Sequence, residues 1–126
     1  MQTSPKTVMI IEDEPDAAEL FAEMMRLNGY RVLKTYSGTP AMQLIAQQRP
    51  DLIIMDIMMP DVSGLDVLRS VRSDPSLASI PVVIVSAKAA AEDIRTGLEA
   101  GASIYLTKPV AYIDLKNAVD SLVGAH

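Results

Sequence analysis

Four places in this 126-residue sequence could carry chemistry, and each lies at or just beyond a short apolar run. Glu12 and Asp13 follow Val8–Ile11, and Asp56 follows Leu52–Met55. Ser86 comes directly after Val82–Val85, and Lys108–Pro109 comes just after Ile104–Leu106. If these residues converge, three carboxylates face one ammonium and two negative charges are left over. Carboxylates a few ångströms apart repel strongly at intermediate dielectric. Either a proton is shared or a divalent cation completes the cluster. Oxygen-only ligands with room for water favour Mg²⁺ over zinc or copper. Such an ion would neutralise the excess and could hold a phosphoryl oxygen against Asp56. A carboxylate is a competent nucleophile for that transfer and forms an aspartyl phosphate.

The elements that must position these residues follow from periodicity. Five apolar runs alternate with five helical patterns. The expected strands are Val8–Ile11, Arg31–Thr35, Leu52–Met55, Val82–Val85 and Ile104–Leu106. Arg31–Thr35 alternates like a half-buried edge, whereas Leu52–Met55 is apolar on both faces, as a central parallel strand would be. Pro15 suits a first helical position, with Leu20, Met24 and Leu27 recurring at helical spacing until Asn28–Gly29. Ala41, Leu44 and Ile45 mark the second helix. Ser63 followed by Asp66 reads as a capping box opening the third, with Leu65, Leu68 and Val71 behind it. Ile94 and Leu98 mark the fourth helix, and Ile113, Leu115, Val119 and Leu122 the fifth.

Strict strand–helix alternation predicts an α/β fold: a doubly wound, five-stranded parallel sheet with helices on both faces. In such sheets ligands bind beyond the carboxyl ends of the strands, where the strand order reverses. With the order 2-1-3-4-5, the four chemically equipped ends are neighbours. The silent second strand is an edge.

Composition narrows the function class. Hydrophobic residues make up 49% and charged residues 21%, a globular balance. The absence of cysteine excludes disulfides and thiolate metal sites. A net charge of −5 argues against a nucleic-acid partner, which needs a basic face. No apolar run has the length of a signal segment or membrane span, so a cytoplasmic, membrane-free protein is expected. His126 is expected to be frayed and no phosphodonor.

Taken in order, Ile10–Ile11–Glu12–Asp13–Glu14–Pro15, Ile54–Met55–Asp56 through Ser63–Gly64, Ser86–Ala87 and Tyr105–Leu106–Thr107–Lys108–Pro109 resemble the response-regulator receiver domain of two-component signalling. The resemblance spans essentially the whole chain. It implies a flavodoxin-like (βα)5 fold, with Asp56 as phosphoacceptor and Asp13 as a direct Mg²⁺ ligand. Glu12 would act through water, and Met58 would offer its backbone carbonyl to the metal, with Mn²⁺ as a substitute ion. Lys108 would pair with phosphoryl oxygens. Ser86 would swing onto the phosphate while Tyr105 turns from exposed to buried. The Lys108–Pro109 peptide is expected to be cis. The implied partners are a sensor histidine kinase or histidine phosphotransfer protein and a downstream protein target. Enzymatic activity would be limited to the domain's own phosphorylation and dephosphorylation.

One domain over 1–126, with a core of about 7–123 and no effector domain, is the expected organisation. Ser103 and Ile104 stand where many DNA-binding members carry acids, and Val110 where phenylalanine often follows Lys–Pro. These departures point away from the usual phosphorylated dimer, and with no effector domain the expected output is a protein contact or a step in a phosphorelay. A phosphohydrolase of the haloacid dehalogenase type needs an acid two positions after its nucleophile, where this chain has Met58. A flavin carrier would need a phosphate-binding loop where Glu12–Glu14 repel phosphate. A phosphorylation-independent pseudo-receiver and a receiver excised from a hybrid kinase are the remaining alternatives.

Overall fold

A computed structural model describes residues 4–124; Met1–Thr3, Ala125 and His126 lie outside the described residues. The elements alternate as β1 (Thr7–Ile11), α1 (Pro15–Leu27), β2 (Arg31–Thr35), α2 (Gly38–Gln48), β3 (Leu52–Met55), α3 (Gly64–Ser73), β4 (Val82–Ser86), α4 (Ala91–Glu99), β5 (Ile104–Thr107) and α5 (Tyr112–Val123). The strands form one parallel sheet in the order β2-β1-β3-β4-β5. β4 and β5 each run one residue further than the apolar pattern marks, because Ser86 and Thr107 still pair across the ladder.

Alternate strand residues feed two cores. Met9, Ile11, Ile53, Met55 and Ile84 pack on one face with Ala41 and Ile45 of α2 and Val67, Leu68 and Val71 of α3. Val8, Ile10, Leu52, Ile54, Val83 and Val85 pack on the other with α1 and α5. Each fully buried aliphatic side chain contributes roughly 1.5–3 kcal/mol. Both faces are therefore committed, and sliding a strand by one residue would exchange its two sets.

Helix orientation departs from expectation in three places. In α1 the buried face is Ala18, Phe21, Ala22 and Met25, while Leu20 and Leu27 are 55% and 79% exposed. Alanines let the helix backbone approach the sheet, so the leucine stripe is turned to solvent. In α4 the buried residue is Gly97, with Leu98 exposed. In α5 Leu115, Ala118 and Val119 are buried but Ile113 is exposed. The capping box is half formed. Ser63 Oγ accepts the Leu65 N–H at 3.2 Å, whereas the Asp66 carboxylate lies 3.4 Å from Arg69. Among the described residues no helix is long and apolar enough to cross a membrane.

Candidate phosphoryl and metal site

Parallel register brings the ends of β1 and β3 level. Ile11 pairs with Met55, and the Asp56 N–H donates to the Ile11 carbonyl at 3.0 Å. Glu12 and Asp56 therefore leave the sheet side by side, 1% and 8% exposed. Lys108, arriving from the end of β5, bridges them. Its Nζ donates to Glu12 Oε1 at 2.7 Å and to Asp56 Oδ2 at 2.8 Å. The Lys108–Pro109 peptide that delivers it is cis.

Burial pushes the Glu12 carboxyl above its ordinary value, only partly opposed by Lys108 and the Glu14 N–H. Burial works to lower the Lys108 ammonium, but hydrogen bonds to Asp56 and Glu12 outweigh it and hold the group above its usual value. Lys108 thus stays charged at neutral pH.

The loop from Asp56 to Ser63 turns tightly. The Met58 N–H donates to Asp56 Oδ1 at 3.0 Å, and the Gly64 N–H returns to the Ile57 carbonyl at 2.9 Å. A side chain on Gly64 would strike the Asp56 carbonyl oxygen and come within 2.8 Å of Ile57 Cα. Only glycine lets α3 start that close to the site. Against the loop that follows Asp56 lies an open cleft of about 470 Å³ whose walls include Asp13, Ile57, Met58, Met59 and Lys88.

Ser86 is fully buried at the end of β4, and its Oγ accepts the Lys88 N–H at 3.2 Å. The Lys88 carbonyl in turn accepts the Tyr105 hydroxyl at 2.6 Å. Tyr105 is half-buried, and a Cβ on Gly97 would lie 2.8 Å from its ring. Burial raises the Tyr105 phenol above its ordinary value. A short polar chain thus runs from Ser86 through the loop after β4 to the α4–β5 surface.

Asp61 escaped the sequence reading. From the β3–α3 loop its two carboxylate oxygens accept the Gly38 and Thr39 N–H groups at the start of α2, both at 2.9 Å. These hydrogen bonds hold its carboxyl well below the usual carboxylate range. A contact 22 residues apart in the chain leaves no local spacing signal.

A divalent cation fits this donor set. Glu12, Asp13 and Asp56 can each offer an oxygen within 4.8 Å of the others. Lys108 compensates one of the three charges, and the oxygens suit a hard ion such as Mg²⁺.

Comparison with known proteins agrees with this architecture. Residues 8–120 match the model of the response regulator receiver domain. The polar-differentiation response regulator DivK of Brucella anthropi is 37% identical over 95% of this chain and 98% of its own length. The probable transcriptional regulatory protein TcrX of Mycobacterium tuberculosis is 41% identical over 83% of this chain, which spans only 44% of that relative. Among solved structures, the receiver domain of a sensor histidine kinase from Pseudomonas aeruginosa superposes with a TM-score of 0.89 at 28% identity. It covers 97% of this chain and 100% of that one, and it was solved with magnesium coordinated in its active-site cleft. A Francisella response-regulator receiver domain gives a TM-score of 0.87 at 30% identity, covering 94% and 96% of the two chains.

Proposed function

The chain belongs to the response-regulator receiver family, and on that premise we propose that it is a phosphoacceptor switch whose reactive residue is Asp56. A phosphohistidine donor, on a sensor histidine kinase or a histidine phosphotransfer protein, would present its phosphoryl group in the cleft beside Asp13. An Asp56 carboxylate oxygen attacks phosphorus, the O–P bond forms, the P–N bond to the donor imidazole breaks, and that imidazole leaves with the bonding electrons. Asp13 and Asp56 would hold Mg²⁺ directly, with the Met58 carbonyl and, through water, Glu12. When bound, the ion supplies charge neutralisation and orientation for the phosphoryl oxygens. Mn²⁺ would serve in its place. The chain's own catalysis is confined to gaining and losing this group.

Lys108 already donates to Glu12 and Asp56, so its third N–H needs only to turn toward the incoming phosphoryl oxygens. When the Ser86 hydroxyl turns to the phosphoryl group, the Lys88 N–H loses its acceptor. The loop that carries the Lys88 carbonyl, and with it the Tyr105 hydroxyl, is then released to shift. Phosphorylation would thereby bias a two-state equilibrium at the α4–β5–α5 surface, regulating a protein partner or passing phosphate along a relay. The region Thr7–Val123 is read as the single receiver core.

The observation that carries this reading is the buried pair Glu12–Asp56, bridged by one lysine and left with an excess of negative charge beside an open cleft. The test is intact-mass analysis after incubation with acetyl phosphate. Wild type should gain one phosphoryl group only with Mg²⁺ present, and Asp56→Asn should gain none. Equal uptake by Asp56→Asn would refute the assignment.

A further inference from the structure

We infer that Asp61 is a positioning residue for the metal-binding loop, joining it to the N-terminus of α2, an inference that rests on the phosphoacceptor reading of Asp56. The loop is fixed at its ends. Met58 N–H is held on Asp56, and Ser63 and Gly64 are held where α3 begins. Between those anchors, the Asp61 carboxylate ties the loop to Gly38 N–H and Thr39 N–H. The close approach is built in, because a Cβ on Gly38 would lie 2.8 Å from Val62 Cβ and 2.9 Å from the Val62 carbonyl oxygen.

The start of α2 depends on this tie. Its own N-cap residue, Ser37, makes no side-chain cap hydrogen bond, and its first turn contains no acid. An unsatisfied helix start is normally met by a capping side chain and favours an adjacent negative charge. Asp61 supplies both from across the molecule. The same carboxylate therefore satisfies α2 and holds the loop three residues beyond Met58, whose carbonyl is the proposed ligand. Residues outside a ligand shell that hold ligands in place commonly change metal affinity when removed. Coupling of this kind is reciprocal, so an ion at the site must also firm the α2 start.

The test uses ¹⁵N-labelled full chain. Mg²⁺ affinity is read from the Met58 and Met59 amide shifts, and hydrogen exchange from the Gly38 and Thr39 amides. Asp61→Ala should weaken Mg²⁺ binding roughly tenfold, the lower end of the effect of losing an outer-shell partner. Asp61→Asn, which keeps one acceptor oxygen, should lie between it and wild type. In wild type, Mg²⁺ should slow exchange at Gly38 and Thr39. A purely structural cap would lower thermal stability in Asp61→Ala yet leave Mg²⁺ affinity unchanged, and that result would overturn the inference. So would exchange at Gly38 and Thr39 that ignores Mg²⁺ in wild type. Wild type that binds no Mg²⁺ would overturn the phosphoacceptor reading itself, and the inference with it.

Discussion

Two polar clusters lie at opposite ends of the sheet, and they are built on different charge arithmetic. At the far end from the cleft, one carboxylate, Asp120 of α5, accepts from Lys116 Nζ, Asn28 Nδ2 and the Tyr30 hydroxyl. One negative charge meets one positive charge and two neutral donors. At the cleft end, three carboxylates, Glu12, Asp13 and Asp56, lie together, and Lys108 pairs with two of them, Glu12 and Asp56. Partial burial works against the Asp120 carboxylate, yet Lys116 and Tyr30 hold it below its ordinary value. Burial instead wins at Glu12 and raises it. A balanced cluster ties α5 to the α1–β2 turn. The cluster at the cleft end keeps an excess of negative charge.

The difference can be broken most sharply at Lys108. Removing the ammonium that pairs with these two nearly buried acids should cost about 3 kcal/mol in metal-free urea unfolding of Lys108→Ala, as for other broken buried pairs. Mg²⁺ should recover part of that loss. If it recovered none, the excess charge would have no bearing on cation binding. At the balanced end, Tyr30→Phe removes a neutral donor to a charged acceptor and should cost about 2 kcal/mol. That cost should be the same with and without Mg²⁺.

The smallest effect is on pH dependence, where the two clusters should respond with opposite sign. Asp120 has a lowered pKa, so its stabilisation is complete above its ordinary value of 3.8 and is lost as pH falls through the folded value. Glu12 has a raised pKa, so in metal-free protein its contribution is complete below 4.5 and lost as pH rises through the folded value. Melting curves across the acid range should therefore show Asp120→Asn flattening the acid loss. Glu12→Gln should raise the metal-free melting temperature near neutral pH. Matching responses from the two variants would erase the distinction.

The fold and the core of the site were legible because they rest on local signals. Apolar runs ending in Glu12–Asp13, Asp56, Ser86 and Lys108 mark strands and their chemistry together, and alternation sets the sheet. What stayed hidden depends on packing between distant segments. In α1 the spacing of Leu20, Met24 and Leu27 points to one face, whereas the buried face combines Phe21 and Met25 with Ala18 and Ala22, whose small side chains let the helix meet the sheet. Gly97 is buried for the same reason, against the Tyr105 ring. Arg72 carries a charge in a half-buried position and donates to the carbonyls of Ala78, Ile80 and Gly101; burial lowers its pKa. No spacing rule pairs it with those carbonyls. Asp61 is the functional counterpart, since its partners are amides on a different helix.

The most direct test of the central claim is calorimetric titration of the wild-type chain with Mg²⁺, paired with melting curves at each concentration. An unbalanced acid cluster that is a cation site should bind one ion, with a melting temperature that climbs with Mg²⁺ as mass action requires. Asp13→Asn should weaken both responses, while Tyr30→Phe should leave the binding isotherm intact. A wild-type protein whose heat and melting temperature are indifferent to Mg²⁺ would contradict the claim.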